Sequence, residues 1–289
     1  MKFALVQGEK TVATKGAIGF CPGCGARLVP HCGKKYIHHW KHKGKRNCDK
    51  WWENETEWHR AWKEQFPVNW QEIVHKDQNG EKHIADVKTE HGWVFEFQHS
   101  YLKDDERKAR DAFYQNLIWV VDGMRRKRDI PQFERALDEG IIINNSPTIW
   151  NVFIDECRLL EEWVECRSPV LFDFYGVNKP EGATLWLLLP WRLDGRACVL
   201  KVPWMDFIKF QRVGRNTKGK GFAEILENYK KILIYYQHRR AQEMEQIARQ
   251  IQSRQFRLPL PRRSSQPYRR KPKRRSYRRP KSSRWKKRW

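Results

Sequence analysis

Long hydrophobic runs are missing from this sequence. No segment approaches the roughly 18 apolar residues that a membrane-spanning helix needs, and the best candidates, Leu117–Val121 and Leu185–Leu189, have the length of buried strands. The apolar start Met1–Val6 is interrupted at once by Gln7–Lys10, which differs from the pattern of a secretory signal. We therefore expect a protein of the reducing cytoplasm with no membrane span.

Acidic residues are missing from the C-terminal end. The 289 residues carry a net charge of +24, and from Gln246 onward there are 18 Lys and Arg but no Asp or Glu. The preceding residues hold 40 basic and 34 acidic side chains. The sequence therefore joins a mildly basic globular part to an intensely basic tail.

The tail from about Arg254 alternates basic clusters with Pro, Ser and spaced aromatic residues, a composition that predicts disorder. Basic side chains release counterions from a phosphate backbone, and interleaved rings stack on bases. We predict salt-sensitive binding of DNA, with RNA not excluded. A nuclear localisation signal and an anionic membrane surface are alternatives. The residues expected to bind nucleic acid are Lys63 in the globular part and Arg269, Arg270, Lys271, Arg274, Arg275, Arg278, Arg279 and Trp285 in the tail.

The seven cysteines are an odd number, which argues for metal ligands or free thiols rather than a disulfide framework. Cys21-x-x-Cys24-Gly25 has the spacing of a zinc knuckle. Structural zinc takes four Cys or His ligands, so two more are needed. The candidates are His39, His42, Cys32 and Cys48, with His31 and His38 less favoured. So small a polar module would draw its folding energy from the metal.

A short hairpin places two acids opposite each other. Glu90-His91-Gly92 fits a three-residue loop with Gly in the left-handed position, which pairs Val87 with Phe95 and Asp86 with Glu96. Opposed Cβ atoms lie roughly 5 Å apart, so one cation can bridge both carboxylates. Because side chains alternate along a strand, Glu96 and Gln98 share a face. Two carboxylates and a nearby polar group are what a Mg²⁺-dependent phosphodiesterase needs.

The segment Glu53–Phe66 before this hairpin has the pattern of a helix and carries Glu55, His59 and Lys63 at a spacing of four. Residues four apart lie on one helical face. This is either a solvated charged face or a face that delivers another carboxylate and a histidine to the hairpin.

Six short segments occur in series within residues 1–125, and together they resemble a known family. They are Cys21-Pro22-Gly23-Cys24-Gly25, His39-Trp40-Lys41-His42, Glu55-Thr56-Glu57-Trp58-His59 with Lys63, Ala85-Asp86-Val87, Glu96-Phe97-Gln98-His99-Ser100, and Glu106-Arg107 with Tyr114 before Trp119. In this order they resemble the competence CoiA-like nuclease family, whose core is similar to the PD-(D/E)XK, restriction-endonuclease-like fold. The resemblance does not extend to residues 126–289.

The resemblance implies roles for these residues. Asp86 and Glu96 would bind the catalytic Mg²⁺ or Mn²⁺, and Gln98 stands where the wider superfamily usually has Lys. Glu55 and His59 fall on the family's Glu-Ser/Thr-x-x-His helix and would be catalytic. The family's His-x-x-His favours His39 and His42 as the remaining ligands of a structural Zn²⁺.

We therefore expect a mixed α/β (α+β) fold with a restriction-endonuclease-like sheet flanked by helices. Residues 1–49 would form a zinc-ribbon-like module and 50–125 the nuclease core. Residues 126–253 would form an α+β extension that ends in a long helix, and 254–289 a disordered tail.

The predicted function is metal-dependent hydrolysis of DNA, in processing or recombination of incoming DNA in bacteria. The alternative is a non-enzymatic, zinc-containing nucleic-acid-binding protein with an inactive nuclease fold.

Overall fold

The structure of the protein, a computed structural model, describes residues 1–34, 37–44, 48–51 and 55–255. These residues form two β-sheets and six α-helices, which confirms the mixed α+β class. One compact unit spans Met1–Arg240, and a second begins at Ala241. Within the described part of the chain, none of the helices has the length and apolar character to cross a bilayer.

The smaller sheet comes from the N-terminal residues. Its strands are β1 (Phe3–Val6), β2 (Glu9–Val12), β3 (Gly19–Phe20), β4 (Arg27–His31) and β5 (His39–His42). They lie in the order β2-β1-β3-β4-β5, and every neighbouring pair is antiparallel. Leu28 and Trp40 are buried beneath this sheet together with Cys21.

The larger sheet has nine strands. They are β6 (Gln71–Lys76), β7 (Lys82–Lys88), β8 (Val94–Gln98), β9 (Leu117–Asp122), β10 (Ile141–Asn145), β11 (Thr148–Val152), β12 (Val170–Asp173), β13 (Thr184–Leu188) and β14 (Ala197–Pro203). Their order across the sheet is β10-β11-β14-β13-β12-β9-β8-β7-β6. Strand β9 runs parallel to both of its neighbours, β8 and β12, and the other pairs are antiparallel.

The helices cover both faces of this sheet. They are α1 (Glu57–Lys63), α2 (Asp104–Phe113), α3 (Asp129–Asp138), α4 (Arg158–Trp163), α5 (Trp204–Val213) and α6 (Phe222–Gln255), and a 3₁₀ turn covers Val68–Trp70. Strand β9 is buried on both sides and is built of apolar residues before its final Asp122, as expected of a central parallel strand. Ile118 and Val120 pack with residues of α1, α5 and α6, whereas Trp119 packs with residues of α3 and α4.

The chain order around the hairpin is α1, three strands, α2 and then β9. The predicted helix at Glu53–Phe66, the hairpin around Gly92 and the buried strand Leu117–Val121 all recur here within a few residues of their expected ends. The predicted boundary at residue 125 falls between β9 and α3, inside a single nine-stranded sheet. Apart from the backbone of the last two residues of α6, the predicted tail 254–289 lies outside the described residues.

Candidate functional site

Helix α1 and the residue before its N-cap bring three predicted site residues to one cavity. Thr56 caps the helix, because its Oγ1 accepts a hydrogen bond from the backbone N–H of His59 at 3.3 Å. Glu55, His59 and Lys63 all line a cavity of about 70 Å³ between α1 and the hairpin of β7 and β8. His59 and Lys63, four apart on α1, are therefore turned toward the hairpin rather than toward solvent, and Glu55 joins them from just before the N-cap, outside the helix on which the sequence places it.

The ammonium group of Lys63 is buried among carboxylates. Its Nζ lies 2.9 Å from Glu55 Oε1, 3.1 Å from Glu72 Oε1 and 3.4 Å from Asp86 Oδ1. Burial alone would lower the pKa of Lys63, but the charges of Glu72, Glu55 and Asp86 hold it well above its ordinary value. Lys63, whose binding to nucleic acid stays a prediction, lies at the centre of the acidic group.

Glu55 is ionised for the same reason. Burial opposes its charge, but Lys63 and Arg60 overcome this effect and lower the pKa of Glu55 to about 2. Its Oε2 lies 2.7 Å from Arg60 Nη2. Glu55 is therefore a carboxylate with two cationic partners.

The hairpin has the register that its turn predicts. Val87 lies opposite Phe95, and Gly92 adopts a φ of +82° in the loop, which a residue with a Cβ rarely adopts. The regular pairing ends there, so the expected pair of Asp86 with Glu96 is not part of the ladder, and Asp86 Oδ2 instead accepts a hydrogen bond of 3.0 Å from the backbone N–H of Phe97. The Asp86 carboxylate is thereby held against the strand that carries Glu96.

Glu96 is the most perturbed acid of the cavity. Its Oε2 accepts a hydrogen bond of 2.9 Å from Arg110, whereas its buried Oε1 has no hydrogen-bond partner among the described residues. Burial, and then the charge of Asp86, raise the pKa of Glu96 to about 8, although Arg110 opposes the shift. Near neutral pH Glu96 keeps a proton unless a further cation stabilises its charge.

Gln98 follows on the same strand but does not line the cavity. Its side-chain amide donates to Ser100, at 3.2 Å to the backbone oxygen and 3.3 Å to Oγ. The strand faces are as expected, since Phe95 and Phe97 pack in the opposite apolar core. The structure therefore brings Glu55, His59, Asp86 and Glu96 together and leaves Gln98 beside them.

Sequence reasoning missed Glu72, which lies in β6. Its two carboxylate oxygens accept the backbone N–H groups of Lys2 at 2.7 Å and Phe3 at 2.9 Å, and Oε1 also contacts Lys63. Glu72 has a φ of +47°, a left-handed conformation that is uncommon for a residue with a side chain and is often found at functional sites. No local pattern marks it, because the backbone groups that it accepts from, at Lys2 and Phe3, lie about 70 residues away.

The cavity as a whole is rich in acids. Five carboxylates and two basic side chains line it. They are Asp49, Glu55, Glu72, Asp86 and Glu96, with Lys63 and Arg110. Among the described residues, only a group of cysteines and one histidine places its ligand atoms within 4.8 Å of one another. The carboxylates of the cavity do not form such a group. Mg²⁺ fits such a site, because it binds one or two carboxylates and keeps several waters.

The cysteine and histidine group lies between the smaller sheet and the segment that leads to α1. Cys21, Cys24, His42 and Cys48 place their ligand atoms within 4.8 Å of one another. The Sγ atoms of Cys21 and Cys48 are 3.7 Å apart, and His42 Nε2 is 3.4 Å from Cys24 Sγ and 3.2 Å from Cys48 Sγ. A tetrahedral zinc site needs ligand separations of about 3.8 Å between sulfurs and about 3.5 Å between nitrogen and sulfur. The four residues are compatible with structural zinc.

This group contains Cys48 in place of His39, which the resemblance favoured. His39 and His42 are three residues apart in β5, and an odd spacing sends side chains to opposite faces of a strand. His39 Nδ1 instead lies 2.8 Å from the backbone oxygen of Ile37. Cys32, the other competing ligand, donates to the backbone oxygen of Ala13 at 3.3 Å.

No protein-family model, curated protein or solved structure matches this chain. A fold shared with a characterised protein would in any case not establish an activity. The function must therefore be argued from the chemistry of the cavity.

A four-residue segment connects the cysteine and histidine group to the acidic cavity. Directly after Cys48, Asp49 accepts hydrogen bonds of 2.9 Å from the backbone N–H of Ile84 and from His83 Nδ1. The backbone oxygen of Trp51 accepts a bond of 2.7 Å from Arg110, the residue that holds Glu96. A change at Cys48 can therefore reach Glu96 through direct contacts.

The tail residues expected to bind nucleic acid, Arg269, Arg270, Lys271, Arg274, Arg275, Arg278, Arg279 and Trp285, all lie outside the described residues. Their role stays a prediction from composition.

Proposed function

We propose that this protein is a metal-dependent nuclease that hydrolyses phosphodiester bonds of DNA. The observation that carries the proposal is the state of Glu96, a buried acid with a pKa raised to about 8 beside Asp86 and with one oxygen unpartnered among the described residues. Two acids that repel each other in a small cavity are stabilised by a divalent cation. Asp86 and Glu96 are the residues that would hold it.

The arrangement of elements supports the proposal. Helix α1, the antiparallel strands β6, β7 and β8, helix α2 and the parallel strand β9 follow one another. A mixed sheet flanked by helices is what the resemblance to restriction-endonuclease-like nucleases implies for the core. Asp86 lies on β7 and Glu96 on β8, and these are the two acids to which the resemblance assigns the catalytic metal.

The side chains of the cavity fit the chemistry of phosphodiester hydrolysis. A divalent ion bound by Asp86 and Glu96 would activate a water and neutralise charge on the phosphate. Lys63 keeps its ammonium 3.4 Å from Asp86 Oδ1, so it offers in the same cavity the positive charge that Gln98 lacks. Arg110 holds Glu96 from the other side. We infer that Lys63 takes the part played by the lysine of the wider superfamily.

The proposal is tested by cleavage assays with isosteric variants. Purified protein is incubated with labelled single-stranded DNA, double-stranded DNA and RNA in Mg²⁺, Mn²⁺ or EDTA. We expect cleavage of DNA with metal and none in EDTA. Asp86→Asn and Glu96→Gln should each lower the rate by about 100-fold or more, since both remove a metal-binding charge. The matched control is Asp105→Asn, which changes an exposed acid on α2 and should cleave like the wild type.

One pattern of results would refute the enzyme. If the wild-type protein bound DNA in every condition but cleaved no substrate with either metal, the chain would be a nucleic-acid-binding protein with an inactive core. The ion pairs of Lys63 with three acids would then serve stability alone.

A further inference from the structure

A cavity separate from the acidic one lies between α3 and the larger sheet. Its volume is about 380 Å³, and four aromatic rings line it, those of Phe133, Phe174, Tyr175 and Trp186. Ligand pockets in proteins hold roughly 300 to 1,000 Å³ and are lined mainly by apolar and aromatic side chains. Tyr175 is 37% exposed, so solvent reaches its ring. The cavity therefore has the size and the lining that a flat aromatic ligand requires.

Polar side chains lie in the same cavity. Glu134, Thr184 and Lys201 also line it. A carboxylate accepts hydrogen bonds, an ammonium group donates them and a hydroxyl does both, and the edges of nucleobases form bonds of both kinds. Lys201 Nζ lies 5.1 Å from the centroid of Trp186, so its charge is held beside the rings. Rings for the face of a base and polar groups for its edge are typical of the recognition of unpaired nucleotides.

A basic segment, Arg125-Arg126-Lys127-Arg128, connects β9 to α3. Arg125 and Arg126 are both paired with Glu162. Lys127 and Arg128 are exposed and form no ion pair with the residues that the structure describes. Because they directly precede the helix that lines the cavity, their charges are available to the phosphates of a strand that reaches the rings.

The two cavities can be placed relative to each other by the register of the sheet. Strands β8, β9 and β12 are parallel neighbours, in which Glu96, Trp119 and Val170 lie opposite one another. Tyr175 follows Val170 by five residues in the direction of the carboxyl ends, and β12 lies two strands from β8. With about 3.3 Å per residue and about 4.8 Å between strands, the Cα atom of Tyr175 lies roughly 20 Å from that of Glu96. A stacked DNA strand covers this distance in about six nucleotides, at about 3.4 Å each.

The rings lie on the face of the sheet that bears Glu96. Residues opposite one another on neighbouring strands point to the same face, and an even spacing along a strand keeps that face. Phe172 follows Val170 by two residues, and its ring centroid lies 6.4 Å from that of Phe174. Both rings pack in the apolar core that contains Trp119. A strand with a phosphate in the acidic cavity can therefore continue to the rings without crossing the sheet.

We propose that this second cavity and the segment 125–128 form a binding site for the unpaired strand of a DNA substrate. A base enters among the rings beside Tyr175, and Lys127 and Arg128 contact the neighbouring phosphates. The site deepens the proposed nuclease function and rests on it, because it makes the substrate single-stranded DNA or a single-stranded arm of branched DNA. The bases of a duplex are paired and stacked on one another, so they do not enter the cavity.

The test compares two single strands that differ only in their bases. One is a DNA oligonucleotide, and the other has the same length and the same phosphates but abasic sites throughout. Affinity is measured in EDTA, which prevents metal-dependent cleavage. Tyr175→Ala should bind the intact strand about tenfold more weakly than the wild type, since one stacked base is lost, and should bind the abasic strand equally well. Tyr175→Phe keeps the ring and should match the wild type on both strands.

Variants of the basic segment test the phosphate contacts. Lys127→Ala and Arg128→Ala should weaken binding of both strands by the same factor, and each should reduce the slope of log affinity against log salt by about 0.7. Tyr235→Ala and Lys231→Ala, at exposed positions of α6, are the matched controls and should bind both strands as the wild type does. The basic tail is present in every variant, so its contribution is the same in each comparison. Thermal unfolding should stay at the wild-type value.

Cleavage tests the distance between the two cavities. Once the cleaved bond has been mapped with the wild type, three adjacent abasic sites are moved along an otherwise intact strand. At a low substrate concentration the wild type should be slowed most when these sites lie about six nucleotides from that bond on one side. Tyr175→Ala should lose this maximum.

The outcomes separate the two proposals. If the loss at Tyr175→Ala is confined to the intact strand but the wild type cleaves nothing with either metal, the nuclease is overturned and the strand-binding site stands. If the wild type cleaves, and Tyr175→Ala either binds both strands as the wild type does or is weakened equally on both, the site is overturned and the nuclease stands.

Two further results would overturn the identity of the ligand. The first is a tenfold loss at Tyr175→Ala on blunt duplex DNA as well, which would show that the site does not require an unpaired strand. The second is single-stranded RNA that binds more tightly than DNA with the same dependence on Tyr175.

Discussion

At the scale of single residues, Glu96 couples the proposed metal site to pH. Its ordinary pKa of 4.5 is raised to about 8 by burial and by the charge of Asp86. A divalent cation favours the carboxylate form, so binding below pH 8 must release the proton that Glu96 holds. Affinity for Mg²⁺ is therefore expected to increase with pH and to level off above about pH 8.

The expected increase is about tenfold for each pH unit between 6 and 8, because one proton is exchanged for each ion. Isothermal titration calorimetry in buffers of different ionisation enthalpy measures both the affinity and the proton released. Glu96→Gln should bind Mg²⁺ more weakly, with an affinity that does not change with pH. Asp105→Asn should bind Mg²⁺ with the affinity and pH dependence of the wild type. An affinity of the wild type that does not change over this range would contradict the assignment of Glu96 as a ligand.

The residues of the cavity were accessible to sequence reasoning in different degrees. Asp86 and Glu96 could be placed on neighbouring strands near one another because a hairpin loop defines the register and side chains alternate along a strand, although the ladder ends before their expected pair. Glu72 could not, because its role depends on a left-handed backbone and on contacts with Lys2 and Phe3 in another sheet. Helical periodicity placed Lys63 on the correct face without indicating that it would meet three carboxylates.

At the scale of elements, the segment 48–51 is expected to transmit the state of the cysteine and histidine group to the cavity. Asp49 bonds to β7 next to the hairpin, and Trp51 bonds to Arg110, which holds Glu96. Cys48→Ser should therefore lose zinc. It should also weaken Mg²⁺ binding on the order of tenfold, which is the usual effect of losing a residue that supports a metal ligand without binding the metal itself. Metal analysis and calorimetry measure the two effects.

Two variants serve as controls for this coupling. Cys32→Ser and His39→Asn change residues outside the group and should keep both zinc and Mg²⁺ affinity. If Cys48→Ser retained zinc and His39→Asn lost it, His39 rather than Cys48 would be the zinc ligand, as the resemblance favours. If Cys48→Ser lost zinc but bound Mg²⁺ as tightly as the wild type, the coupling would be refuted, and the assignment of Cys48 as a zinc ligand would stand on its own.

The choice between Cys48 and His39 illustrates what a sequence motif omits. His39-x-x-His42 would suit a helix or a loop, where a spacing of three can bring two side chains together. In β5 the same spacing separates them, and only His42 turns to the buried side with Trp40. The motif alone does not state which kind of element carries it.

At the scale of the whole molecule, residues beyond 125 extend the sheet that bears the cavity. Strand β12 runs parallel to β9, with Leu171 opposite Val120, and β13, β14, β11 and β10 follow it outward. The sequence predicts β13 among these strands, because the apolar run Leu185–Leu189 has the length of a buried strand. It does not predict that this group of strands joins β9, because β12 is a parallel neighbour of β9 that the chain reaches only after β10 and β11, and such a long connection leaves no local signal.

The basic tail is expected to supply affinity rather than chemistry. The cavity residues all lie within Met1–Arg240, whereas 18 Lys and Arg without any acid follow from Gln246 onward. Each phosphate contact adds about 0.7 to 0.9 to the slope of log affinity against log salt. A variant with residues 254–289 replaced by Gly and Ser of equal length should bind DNA more weakly, with a shallower salt dependence, and still cleave at low salt. Binding titrations and cleavage rates from 50 to 200 mM salt measure this, and loss of cleavage at low salt would show instead that the tail belongs to the active centre.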